Sequence, residues 1–190
     1  MRKSFVWLAL AVASLGTVAT AAPLNLVLLP TPDIASAGIT VTYNAGTQAF
    51  SAQGSSQYVN DPFTLLFGSF DLQASIDNSG NLLSGSLNIT DFAATSVLTG
   101  SALQFGFSAL EPFEFVFKIT GGTLAALFGG TGGTVGVIIN QTGIGATDFA
   151  NSFAGTGSGV ADTAPTPEPA SWLMLVSAAG FLAARRARRS

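Results

Sequence analysis

The chain has 190 residues, 48% of them apolar and only 9% charged, with a net charge of −3. Cysteine and histidine are both absent. That excludes disulfides, thiol nucleophiles and thiolate metal sites, and it removes the commonest general base and metal ligand.

The chain opens with Arg2 and Lys3, an apolar stretch from Phe5 to about Leu15, and a small-residue region ending Ala19-Thr20-Ala21. This is the pattern of a secretory signal peptide. Ala19 and Ala21 supply the small side chains at positions −3 and −1, so cleavage is expected after Ala21 and the signal covers residues 1–21. An uncleaved N-terminal anchor is the other reading.

From Ala22 to Ala164 a single base, Lys118, stands against nine acids. So acidic a stretch repels phosphate backbones, and no nucleic-acid partner is expected. Residues 22–154 show period-2 patterns and no long 3.6-residue period, which predicts a mainly β domain. Ile39, Val41 and Tyr43 share one strand face, and Asn44 to Thr47 form a turn. Phe70, Leu72, Ala74 and Ile76 then alternate with Asp71, Gln73, Ser75 and Asp77. Asn78-Ser79-Gly80-Asn81 makes a turn with Gly80 left-handed, and Leu83, Gly85, Leu87 and Ile89 form the next apolar face. Phe105 and Phe107 alternate similarly, as do Phe113, Phe115, Phe117 and Ile119. Thr123–Phe128 fits a helical turn and a strand equally, and Thr134–Asn140 reads as a buried strand. Short strands at this spacing predict an antiparallel β-sandwich or open barrel. Small residues and prolines from Gly155 onward predict a flexible linker over 155–169.

The chain ends in Pro167-Glu168-Pro169, a fifteen-residue apolar run from Ala170 to Ala184, and Arg185, Arg186, Arg188 and Arg189. The prolines forbid helix at the tripeptide. As a helix the run spans about 22 Å against a hydrocarbon core of about 30 Å. Residues 170–190 are therefore expected to form a marginal transmembrane helix, stopped by a cytoplasmic arginine cluster. In its three parts and their order this tail closely resembles the PEP-CTERM sorting signal of Gram-negative bacteria. The resemblance covers about residues 165–190. It implies export through the Sec translocon, transient anchoring in the inner membrane, and cutting near the tripeptide by a membrane-embedded exosortase. The product would be a cell-surface or extracellular-matrix protein of exopolysaccharide-forming, biofilm-forming cells. A tail-anchored protein with a proline-rich stalk is the alternative.

Three stretches invite a chemical reading. Asp71 and Asp77 near "DNSGN" superficially suggest a calcium loop, but the alternating ligands and closing glutamate are missing. Glu111 and Glu114 suggest paired carboxylates for glycoside hydrolysis, although Glu114 also fits a pair with Lys118. The glycine-rich "FGGTGGTVG" lacks the lysine and hydroxyl of a phosphate loop. Asn88 and Asn140 begin glycosylation acceptor triplets, which carry little weight in a bacterial host. No catalytic residue, metal or cofactor is expected. The leading reading is a non-catalytic surface or matrix protein. A secreted carbohydrate-binding module is the first alternative, with Tyr43 and Tyr58 as the only tyrosines and both tryptophans, Trp7 and Trp172, in the targeting segments. A carboxylate-dependent hydrolase is the second.

Overall fold

A computed structural model describes residues 22–108, 112–144 and 148–166. Ala19, Ala21, Glu111, the Pro167-Glu168-Pro169 motif and the four C-terminal arginines lie outside the described residues, as do the rest of the expected signal peptide and the apolar run. The described residues form ten strands: β1 (Ile34–Asn44), β2 (Ala49–Val59), β3 (Thr64–Leu65), β4 (Phe70–Ile76), β5 (Leu82–Thr90), β6 (Ser96–Phe107), β7 (Phe113–Gly121), β8 (Thr134–Asn140), β9 (Phe153–Ala154) and β10 (Gly159–Pro165). All pairings are antiparallel. The order β1-β2-β4-β5-β6-β7-β8-β10 closes on itself, because β1 pairs with both β2 and β10. The fold is therefore a closed eight-stranded barrel, with β3 and β9 as short additions. Closure removes the sheet edges that an open barrel or a sandwich would leave exposed.

The alternating pattern decides which way each strand faces. Phe113, Phe115, Phe117 and Ile119 point inward and are fully buried, as do Phe50, Phe70, Leu72, Val135, Val137 and Ile139. An eight-stranded barrel has an interior just wide enough for side chains to fill. Here phenylalanines fill it: the Phe50 ring lies 5.4 Å from Phe115 and 5.5 Å from Phe113, and Phe105 lies 4.6 Å from Phe115. Phe149, from the β8–β10 connection, packs against Tyr43 and Phe107 at one end. A short 3-10 helix, Ala125–Phe128, buries Phe128 at the other. The segment left open in the sequence is thus a helical turn. The outer wall carries Thr40, Thr42, Gln73, Ser86, Ser101, Lys118 and Thr120, all exposed. This apolar-in, polar-out order is the reverse of a barrel whose wall faces lipid. Among the described residues no helix is long and apolar enough to cross a membrane.

Two sequence expectations need correction. The linker expected from Gly155 is not a linker up to Pro165, since Gly159–Pro165 is the strand that closes the barrel between β8 and β1. Ala161 and Thr163 are fully buried there; a seam facing so many phenylalanines takes small side chains, which in sequence look like a stalk. Leu83, expected on the inner face, is exposed, and Leu82 packs on the core instead. A register shift pairs Ile76 with Leu82 and Ser75 with Ser84, so Leu83 is the extra residue of a bulge and turns outward.

Candidate functional site

The carboxylates come first, because without histidine or cysteine they would have to do any chemistry. Glu114 sits on the outer face of β7, yet it is only 3% exposed. It is covered by residues 22–32, which run along the barrel wall. Three successive N–H groups of this strap donate to it: Leu24 at 2.6 Å and Asn25 at 3.0 Å to Oε2, and Leu26 at 2.8 Å to Oε1. The strap lies so close that a Cβ at Gly106 would come within 2.5 Å of the Ala22 carbonyl, and one at Gly136 within 2.5 Å of Leu28. Its far end is tied by the Leu29 N–H donating to the Pro165 carbonyl at 3.1 Å. Glu114 is therefore a structural clasp, and its partners are backbone amides rather than the expected Lys118.

Asp77 closes the β4–β5 turn. Its carboxylate accepts from the Asn81 side chain at 3.0 Å and from the Asn81 and Ser79 N–H groups at 2.8 Å each. The Asn81 side-chain bond, then the backbone bonds, hold its pKa below the usual carboxylate range. Gly80 is left-handed, with φ 83°, as the turn pattern requires. Asp71 lies on the outer wall and accepts from Gln53 and Gln73. Among the described residues no group of three or more acids is arranged to hold a metal. In the glycine-rich loop the Gly130, Gly132 and Gly133 N–H groups donate to Ala125, Ile119 and Gly130. These amides are spent inside the turn and do not form a phosphate cradle.

One carboxylate was not singled out by the sequence. Asp33 precedes β1 and is pushed up from 3.8 to about 6, first by burial, then by the negative charge of Asp162, while the Thr163 N–H pulls the other way. Its Oδ1 is buried without a hydrogen-bond partner. Because the folded state holds this proton more tightly than the unfolded chain, the associated stability is complete below about pH 4 and is lost as pH rises through 6. Asp33→Asn should therefore raise the melting temperature at pH 7 and leave it nearly unchanged at pH 4. Thermal unfolding at the two pH values measures this. Asp33 is half-buried, so the gain is discounted for solvent screening to about 1 kcal/mol. Tyr43 is pushed up by burial and then by Asp77, and its hydroxyl donates to the Ile76 carbonyl at 2.9 Å.

The remaining surface features differ between the two ends of the barrel. A shallow groove of about 440 Å³ on the wall is lined by Thr47, Gln48, Gln73, Ser75, Ser84 and Ser86, among others, and holds no ionisable side chain. At one end the β1–β2 and β4–β5 turns are polar, with Gly46, Thr47 and Gln48 on one turn and Asn78 and Ser79 on the other, and Leu83 is exposed beside them. At the opposite end, the β2–β4 connection exposes Phe63 and Phe67 (69% and 63%), and the β5–β6 turn exposes Phe92 (80%). Tyr58 and Leu65, directly paired across β2 and β3, extend this surface, and the Tyr58 and Phe63 rings lie 5.6 Å apart. The two connections touch, since the Ser69 N–H donates to Thr90 Oγ1 at 2.9 Å and the Thr90 N–H to the Ser69 carbonyl at 2.9 Å. β10 ends at this same rim, and Thr166 is bound there, its hydroxyl 2.9 Å from that of Thr134.

The predicted sorting signal thus begins one residue beyond a tied-down strand. Comparison with protein-family models, with curated proteins and with solved structures finds no match to the chain.

Proposed function

We propose that the protein is an exported, exosortase-processed surface or extracellular-matrix protein without catalytic activity. The tail carries this reading: Pro167-Glu168-Pro169, then fifteen apolar residues, then four arginines, starting immediately after Thr166. The barrel supports it in two ways. Its polar outer wall suits a hydrated exterior, and the Glu114 carboxylate that a hydrolase would use is occupied by three backbone amides. On this reading the folded body is finished at Pro165, and everything after Thr166 is an export handle. Replacing Pro167, Glu168 and Pro169 together by alanine should trap the longer precursor in the membrane fraction of the producing cell. Immunoblotting of membrane and surface fractions reads this out, and wild-type amounts of the surface form would sink the proposal.

A second reading, a carbohydrate-binding module, draws on the half-exposed Tyr58 beside Phe63. It requires that retention on exopolysaccharide be abolished in Tyr58→Ala.

A further inference from the structure

We propose that the aromatic rim is a membrane-facing surface: Tyr58, Phe63, Leu65, Phe67, Phe92 and Leu127 meet the interfacial layer of the bilayer while the chain is anchored. This inference rests on the C-terminal run being a membrane segment. Three observations point to lipid as the occupant.

The first is position. All six residues belong to connections or strand ends at the rim where β10 ends, whereas at the opposite end the β1–β2 and β4–β5 turns are polar, with Leu83 exposed beside them. The second is reach. Only Pro167, Glu168 and Pro169 separate Thr166 from the apolar run. Three residues span at most about 11 Å fully extended. The headgroup layer on each side of a bilayer is about 5–8 Å thick. With the run in hydrocarbon, this rim is held at the membrane surface and the polar end is turned away. The third is chemistry. The patch is phenylalanine and leucine around one tyrosine, and no lysine or arginine lies in these connections. Aromatic and aliphatic side chains partition into the interface without needing anionic lipid. Asp61 and Asp91 on the same loops disfavour a negatively charged surface, so neutral zwitterionic lipid is the fitting partner.

The chain has no cysteine, so a single cysteine gives a unique probe position. Full-length protein carrying Phe92→Cys or Ser79→Cys is labelled with an environment-sensitive fluorophore and reconstituted in phosphatidylcholine vesicles that contain a lipid-borne quencher. Both positions are surface turns, so neither change touches the core. The expected result is several-fold stronger quenching at position 92 than at 79, weakened when Phe63 and Phe67 are also replaced by serine. Equal quenching at both positions overturns the proposal. So does absence of quenching in protein that floats with the vesicles, and in that case the anchor reading survives. If the full chain does not float at all, the anchor reading falls and takes the rim proposal with it. A response at position 92 to soluble polysaccharide without vesicles also overturns it, in favour of a sugar platform.

Discussion

Replacing Phe50 by alanine takes about 3–5 kcal/mol from the barrel. Phe50 is 1% exposed inside the barrel, and its ring contacts Phe105, Phe113 and Phe115. Removing it deletes a large buried apolar surface. It also leaves a hole that neighbours on a closed ring of strands cannot collapse into, because the hydrogen-bonded ladder fixes the barrel's circumference. The loss is a large fraction of the whole stability of a typical domain, about 5–15 kcal/mol. The same truncation at Phe67, 63% exposed, should change stability by less than about 0.5 kcal/mol. Urea denaturation of the two variants side by side measures the contrast. Equal midpoints would mean that the interior is not packed as described.

Glu114→Gln is expected to cost about 2 kcal/mol, the scale of hydrogen bonds made to a charged group. Glutamine keeps the shape but turns one oxygen into an NH₂ donor. At least one N–H of Leu24, Asn25 and Leu26 then faces another donor in a site nearly closed to solvent. The strap can escape this penalty by lifting off, so the effect should be local. Amide exchange at residues 24–26 should speed up strongly, while the β7 and β8 ladder amides keep their protection. Hydrogen exchange resolved by residue tests this. Unchanged protection at 24–26 would show that the clasp does not hold the strap. A catalytic Glu114 makes a different prediction, namely lost activity with an unchanged strap.

The alternation of large apolar and polar residues made most strands legible. Phe113 to Ile119 and Phe70 to Ile76 face as their patterns require, and the β1–β2 and β4–β5 turns fall where asparagine, aspartate and glycine predict them. Closure was not legible, because it depends on pairing β1 with β10, more than a hundred residues apart. The linker expectation failed for a related reason. Composition alone does not distinguish a small-residue strand that fills a tight seam from a flexible stalk. Glu114 was noticed as a chemical group, but its role is set by amides 88 to 90 positions away, which no local pattern reveals. The rim was equally hidden. Phe63, Phe67 and Phe92 look like core residues until the turns that carry them are placed at one end of the barrel.

Where the surface-exposed protein ends tests the account most directly. Mass spectrometry of that form should find a C-terminus between Thr166 and about Ala170, leaving β10 intact and no peptide from Arg185–Arg189. A surface form that retains the arginines, or one cut upstream of Pro165 and so without its closing strand, would contradict it.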